Sequence, residues 1–229
     1  SISDFDMGHR IVGYISWKID YLKHCATTIG FFYSGQSGQR FSWGYQDNTK
    51  SWLGEDNQSL ELMYVPKDQN DIILLDVKDA NGNIVISKEQ QWNDLTAFIE
   101  SDDYLRSRRG MYAERNAART PFEHNIDLHL AQDFYVNVAG KRNTLQITFD
   151  IFNLGNFINS DWGRKYYVSG YYGNYPLLNF QGLKADADGN KTVPTFTFQK
   201  PKGEVWNIDD SGLISSRWMG QVGIRYIFN

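Results

Sequence analysis

The chain has 229 residues, a formal net charge of −4 and an isoelectric point near 5.6, a balance that argues against a nucleic-acid footprint. Mean hydropathy is −0.51 and no run approaches the ~20 apolar residues of a spanning helix, which excludes helical membrane insertion but not insertion by alternating strands. The single Cys25 rules out an internal disulfide and a four-cysteine metal site.

The stretch Ser1–Asp6 is polar and carries no secretory leader, so the chain is expected to be a piece of a longer one with any export signal upstream. An alternating pattern begins at His9 and predicts a strand to Asp20. Ile11, Gly13, Ile15, Trp17 and Ile19 fall on one face, and Arg10, Tyr14, Ser16, Lys18 and Asp20 on the other. A tight connection at Tyr21–Lys23 leads into a second strand, His24 to Gln36, whose Ile29, Phe31 and Tyr33 continue the apolar face. Gly35, Gly38 and Gly44 then punctuate an aromatic, Ser/Gln-rich stretch that reads as the same strand carried further.

From Tyr45 to Thr120 the alternation breaks. Ile72–Val77 and Ile84–Ile86 flank Asp79-Ala80-Asn81-Gly82, a hairpin turn. Ser87 with Gln90 three residues on forms a capping box ahead of Trp92, Leu95, Phe98 and Ile99 at helical spacing. Asp102 or Asp103 caps a second short turn that ends near Gly110. A segment this long is expected to be a folded insertion rather than a plain connection.

A third strand is predicted over Phe122–Phe134. Phe122, Ile126, Leu128, Leu130 and Phe134 share a face with His124 and Gln132, opposite Glu123, Asn125, Asp127, His129, Ala131 and Asp133. The turn Val138-Ala139-Gly140-Lys141 leads to a fourth strand, Thr144–Phe152, with Leu145, Ile147, Phe149 and Ile151 on its apolar face. A second insertion follows, roughly 153–212, and then a terminal strand. In that strand Trp218, Gly220, Val222, Ile224, Tyr226 and Phe228 alternate with Met219, Gln221, Gly223, Arg225 and Ile227.

The connections run short, long, short, long, the rhythm of an outer-membrane barrel with tight periplasmic turns and long extracellular loops; a soluble sandwich spaces its turns more evenly. Aromatic residues make up 15% of the chain (14 Tyr, 14 Phe, 7 Trp), as interfacial girdles require. The charges opposite the apolar faces, Asp20, Asp127, Asp133, Asp150 and Arg225, suit a wet lumen and bulk solvent equally.

Phe149-Asp150-Ile151-Phe152-Asn153-Leu154-Gly155-Asn156, with Phe157, Ile158, Asn159 and Trp162-Gly163, resembles a strand end found near the C-terminus of TonB-dependent outer-membrane receptors. Arg115-Asn116 through Pro121, Asp127, and the closing Trp218-x-x-Gln221-x-Gly223-Ile224-Arg225-Tyr226-x-Phe228 extend the likeness. The combination is similar to the large, Oar-like receptors that bear a carboxypeptidase-regulatory-like domain at their N-terminus. It covers most of the chain and is strongest over residues 110–163 and 214–228. Gly220, Val222, Ile224, Tyr226 and Phe228 resemble the family's C-terminal assembly signal, with Phe228 penultimate rather than last.

The resemblance implies an all-β fold: the C-terminal part of a large antiparallel transmembrane β-barrel, about six strands of a full set of about 22, with a small α/β element in a long extracellular loop. The plug domain would lie upstream. The implied function is transport, the energised uptake of a bulky nutrient at the bacterial cell outer membrane. The implied partners are outer-membrane lipid, the barrel-assembly machinery, TonB through upstream segments, and a surface lipoprotein acting as a lid. The rival readings are a passive or structural barrel, a soluble carbohydrate-binding β-sandwich and a surface scaffold.

No Gly-x-Ser-x-Gly, His-Glu-x-x-His or phosphate-loop motif occurs, so neither an enzyme nor a cofactor is expected. Trp162 with Tyr166, Tyr167, Tyr171, Tyr172 and Tyr175 offers an aromatic surface for sugar or peptide, or packs its own loop. Arg106 and Arg109, with Arg108, Arg115 and Arg119, hold an anionic substrate or pair with Asp102, Asp103 and Glu114. His124 and His129 differ in parity and cannot share a metal, and His9 and His24 stand apart. Asp186-Ala187-Asp188-Gly189-Asn190 has a calcium-loop cadence, but Lys191 stands where that loop needs glycine, so a polar turn is expected and no metal.

Overall fold

The structure, a computed structural model, describes residues 2–3, 6–46, 61–170, 173–210 and 216–228. In chain order the first elements are β1 (Arg10–Tyr21), β2 (Cys25–Gln36), β3 (Arg40–Gln46), β4 (Tyr64–Val65), β5 (Ile73–Leu74), β6 (Val77–Lys78) and β7 (Ile84–Ile86). The helices α1 (Lys88–Ser101) and α2 (Asp103–Ser107) follow, then β8 (Met111–Tyr112), β9 (Ala118–Arg119), β10 (Glu123–Val138) and β11 (Lys141–Phe152). The chain continues through α3 (Leu154–Ile158), β12 (Tyr166–Tyr167), β13 (Asn174–Ala185), β14 (Lys191–Phe198), β15 (Asn207–Ile208) and β16 (Met219–Phe228). Two compact units result. A long-strand unit takes Met7–Gly38, Pro121–Tyr166 and Ile208–Asn229, and an insertion unit takes Ser1–Asp6, Gln39–Thr120 and Tyr167–Asn207.

The long-strand unit is an antiparallel sheet in the order β1-β2-β10-β11-β16. It has five strands where about six were expected, and its edge strands β1 and β16 do not pair with each other, so the sheet is open. Each strand is 10 to 16 residues long, enough to cross a bilayer at a tilt. Both hairpin connections have two residues at positive φ: Leu22 (51°) with Lys23 (57°), and Ala139 (51°) with Gly140 (80°). That backbone matches the twist of the strands it joins and fixes their register. The strands fall where the alternation placed them, to within one residue at the N-terminal end except for β11, which begins three residues early at Lys141, and with β10 running on to Val138.

The insertion unit has its own core. Its sheet runs β5-β14-β13-β3-β9 and is mixed, with β13 parallel to β3 and β14 parallel to β5. Trp43 is 1% exposed and meets Phe41, Phe98 and Tyr175 edge-on at centroid distances of 5.1, 5.7 and 5.4 Å. Leu95, Ile99 and Leu105 from the helices and Leu178, Phe196 and Phe198 from β13 and β14 close around it. The stretch after Gly38 is therefore not β2 carried further. β3 is buried on both of its faces from Phe41 to Tyr45, as strands with parallel neighbours are. The α/β element is also larger than the single insertion that was expected to hold it, because residues from both insertions build this one sheet.

Local signals in this unit behave as their chemistry dictates. Asp79 Oδ1 accepts from the amides of Asn81 and Asn83, both at 2.9 Å, and β6 pairs with β7 across that turn. Ser87 caps α1 by accepting from the Gln90 amide at 3.2 Å. The Gln90 side chain turns to Asp94 at 3.0 Å, so only half of the capping box forms. Asp102 caps α2, accepting from the Leu105 amide at 2.8 Å.

Candidate functional site: an amphipathic sheet and its polar cleft

Register carries the alternation of each strand across the whole sheet. Trp17, Ile29, Leu130, Phe149 and Val222 lie side by side, one from each strand. The rows on either side are Ile15-Phe31-Leu128-Ile151-Gly220 and Ile19-Thr27-Gln132-Ile147-Ile224, and the row nearest the turns is Tyr21-Cys25-Phe134-Leu145-Tyr226. The face is open: Trp17 is 53% exposed, Phe149 41% and Ile224 74%. Ile151 is buried and the central strands are partly covered, but with the side chains of β1 and β16 about half bare or more the exposed apolar area is on the order of 1,000 Å², well beyond the few hundred usual for a soluble monomer. Moving that area out of water is worth on the order of 25 kcal/mol, more than the net stability of an ordinary domain.

The opposite face carries most of the sheet's polar and charged groups, with Val12, Tyr14 and Phe32 among them, and several of these groups pair with one another. Asp133 is buried; Lys18 Nζ approaches its Oδ2 at 3.4 Å, and Gln146 Nε2 donates to its Oδ1 at 2.7 Å. His129 and Asp150 pair two rows further along this face, beside Gln221. At the end away from the hairpin turns this face opens into a cleft of about 390 Å³, lined by Arg10, Glu123, Asp127, Lys165, Arg217 and Phe32, among others. Both carboxylates are engaged. Glu123 accepts from Gln36 Nε2 at 3.0 Å and from the Tyr166 amide at 3.3 Å, and Asp127 accepts from Asn125 Nδ2 at 2.9 Å and the Asn153 amide at 2.8 Å. Arg10 and Lys165 pair with no carboxylate among the described residues, and Arg217 meets Asp210 only at 3.9 Å on an exposed surface, where a pair adds little. The cleft can therefore accept an acidic or hydroxylated group.

The residues that carry the family likeness build the corner beside this cleft. Asn153, at φ 56°, caps α3, and its Nδ2 donates to Gly163 O at 2.8 Å. Asn156 Nδ2 donates to Ser160 O and Trp162 O, both at 3.0 Å, and its Oδ1 accepts from the Trp218 amide at 3.3 Å. Phe157 packs edge-on against Trp218 with centroids 4.9 Å apart. These asparagines tie the end of β11 to the entry of β16.

The remaining expected site residues scatter. Trp162 is exposed in the long-strand unit, where Tyr166 also lies, while Tyr167 belongs to the insertion unit. Tyr171 and Tyr172 fall outside the described residues, and Tyr175 packs on Trp43 in the core. The arginines are engaged in internal pairs. Arg106 meets Asp103, Arg109 meets Glu100 at 2.8 Å and also donates to Pro66 O at 2.8 Å, Arg108 meets Glu114 at 3.2 Å, and Arg119 meets Asp6 at 2.9 Å. Gly220, Val222, Ile224, Tyr226 and Phe228 all fall on the apolar face of β16.

His124 and His129 take opposite faces of β10, and the His124 Nδ1 lies 2.9 Å from the Tyr33 hydroxyl. No group of three His, Cys, Asp or Glu able to hold a metal occurs among the described residues. Asp186 spends its carboxylate on the turn, accepting from the amides of Asp188 and Asn190 and from the Thr192 hydroxyl. Strand parity had put Arg10 on the cleft's face, whereas Lys165 and Arg217 come from irregular segments with no periodic signal. Searches of protein-family models, curated proteins and solved structures find no match to this chain.

Proposed function

We propose that the chain forms part of the wall of a TonB-dependent transport receptor in the bacterial outer membrane, one that takes up a bulky nutrient with energy relayed from the inner membrane. One observation carries the reading: a five-stranded antiparallel sheet with a bare apolar face in unbroken register and an opposite face where the Lys18–Asp133 and His129–Asp150 pairs lie. Lipid covers the first face in this reading, and a wet lumen bathes the second. Further strands of the same receptor continue the sheet at its edges β1 and β16. The polar cleft and the insertion unit contribute to substrate handling, and Gly220 to Phe228 engage the barrel-assembly machinery. TonB meets upstream segments of the receptor, and a surface lipoprotein meets the loops as a lid.

The test is the folding state of the chain in plain buffer and in detergent, read by circular dichroism and by heat-modified gel mobility. The receptor reading expects β structure in the long-strand unit only with detergent. A cooperatively folded monomer in buffer, with Trp17 shielded from quenchers, would put a soluble β-sandwich in its place. In cells, nutrient uptake that persists without TonB would leave a passive barrel instead.

A further inference from the structure

The insertion unit holds a second cleft, of about 320 Å³, lined by Tyr45, Tyr64, Tyr112, Phe196 and Asp71 together with Ile72 and Pro194. Its walls are aromatic pairs. Tyr45 stacks on Phe196 with centroids 5.0 Å apart, and Tyr64 meets Tyr112 edge-on at 5.3 Å, opposite each other on the β4–β8 pair. The two pairs are locked together, because the Tyr64 amide donates to the Tyr45 hydroxyl at 2.8 Å. Tyr45 is buried, whereas Tyr112 is 60% exposed, so the cleft has a fixed floor and an open rim.

One carboxylate sits in this aromatic setting. Asp71 Oδ2 accepts from the Lys67 amide at 2.9 Å and from the Tyr64 hydroxyl at 3.2 Å. Neither donor is charged, and among the described residues no lysine or arginine pairs with Asp71, whose Oδ1 accepts no hydrogen bond. Asp68 stands three residues before it and accepts from the Asn70 amide at 2.8 Å, adding a second negative charge nearby. Aromatic ring faces carry negative potential, so rings and carboxylate attract the same kind of ligand. An anion would be repelled by Asp71. A neutral ligand would leave the Asp71 carboxylate without a counter-charge.

We propose that this cleft binds an organic cation, an ammonium or guanidinium head group on an apolar stem, with Asp71 as its counter-ion and Tyr64 and Tyr112 as the ring faces that cover it. A small free amine and a lysine or arginine side chain of a peptide present the same chemistry. The site rests on the insertion unit alone and does not depend on the receptor reading.

The experiment uses the full chain in detergent with fluorotyrosine incorporated. Fluorine NMR is read at Tyr64 and Tyr112, whose resonances are assigned with Tyr64→Phe and Tyr112→Phe. The probes are choline, N-acetylargininamide and neohexanol, the uncharged carbon isostere of choline. The expected result is a saturable shift at Tyr112 with choline, N-acetylargininamide or both, and none with neohexanol. Choline alone marks a free quaternary amine as the natural source, and N-acetylargininamide alone marks a peptide side chain. Asp71→Asn keeps the acceptor for Lys67 and Tyr64 while removing the charge, and should weaken binding about tenfold with the other tyrosine resonances unmoved. A shift with neohexanol equal to that with choline, an affinity unchanged by Asp71→Asn, or no saturable shift with either cation overturns the proposal.

Discussion

Tyr21 on β1 and Gln132 on β10 are joined across the strand between them. The tyrosine hydroxyl donates to Gln132 Oε1 at 2.7 Å, and Thr27 of the intervening β2 donates to the same oxygen at 2.6 Å. The Gln132 amide donates in turn to Ala26 O at 3.2 Å and Asp133 O at 3.0 Å. This polar patch on the apolar face thus meets its own hydrogen-bonding needs. In water that closure is optional, because solvent would complete the bonds; in hydrocarbon it is required.

The first prediction follows from that difference. Gln132→Leu in the detergent-folded chain should cost about 1–3 kcal/mol, since it strips the shared acceptor from two hydroxyls that lie 2.8 Å apart and can then satisfy only one of their two donors between them. Adding Tyr21→Phe and Thr27→Val should recover most of the loss. Denaturant unfolding in detergent measures both. If this face met water, the single change would cost close to nothing.

The parity of β16 gives the second. Val222 lies in the row of Trp17, Leu130 and Phe149, and its neighbour Gln221 lies opposite Asp150 on the polar face. Val222→Arg should destabilise the lipid-inserted sheet by about 2–4 kcal/mol. Gln221→Arg, one residue away, should stay within about 0.5 kcal/mol, having Asp150 across the strand. Equal effects at the two positions would remove the distinction between the faces.

How much of this was legible in the sequence depended on how local the signal was. The long strands were, because ten or more residues alternate without interruption and the turns at Leu22–Lys23 and Ala139–Gly140 hold their register. The start of α1 was too, since Ser87 and the Leu95/Ile99 spacing lie within a few turns of each other. β3 was misread because Phe41, Trp43 and Tyr45 alternate with Ser42 and Gly44 as a wall strand would. Its burial on both sides comes from segments remote in sequence, with β13 beside it and Phe98 of α1 among the side chains packed on Trp43. β13 and β14 were missed because Pro176 and a register shift between Phe180 and Gly182 break the period of two. The Tyr21–Gln132 bond needs the register of three strands at once, which one sequence does not print. The asparagines of the motif were found by likeness, and the structure gives their physical work: Asn153 and Asn156 close the corner after β11.

Gln91 gives a third prediction, this one in the insertion unit. Its side chain is 1% exposed; Oε1 accepts from the Phe198 amide and Nε2 donates to Leu75 O, both at 2.8 Å, binding α1 to two separate segments. Gln91→Leu keeps the volume but orphans the buried Phe198 N–H and takes the side-chain donor from Leu75 O. The expected loss is about 3 kcal/mol, read as a lower midpoint for unfolding of this unit.

Asp186 gives a pH dependence. Its hydrogen bond from the Thr192 hydroxyl, followed by those from the Asn190 and Asp188 amides, holds its pKa below the ordinary 3.8. The charged form is the one the turn stabilises, so the contribution is complete above the ordinary value and is lost as pH falls through the lower folded value. The protection of the Asn190 amide, its exchange rate taken relative to the unstructured amide at the same pH, should therefore fall as the pH is taken down through that window. In Asp186→Asn the exchange should be quicker at neutral pH and lose this acid dependence.

Asn153 and Gly163 make the sharpest test of the corner beside the cleft. Gly163 has φ +62°, and a Cβ placed there would stand 1.8 Å from Asn153 Oδ1. Gly163→Ala therefore strains the backbone and displaces the side chain that both caps α3 and donates to Gly163 O. The expected cost is about 2–3 kcal/mol, a left-handed residue made unfavourable plus the loss of a cap. Asn153→Gly keeps the left-handed backbone and removes only the side chain, so it should cost about 1 kcal/mol. In the double variant the clash has no partner, and Gly163→Ala should then add only its own backbone strain, about 1 kcal/mol. Simple additivity of the two single changes would mean that Asn153 and Gly163 do not act as one joint, and the corner would need another support.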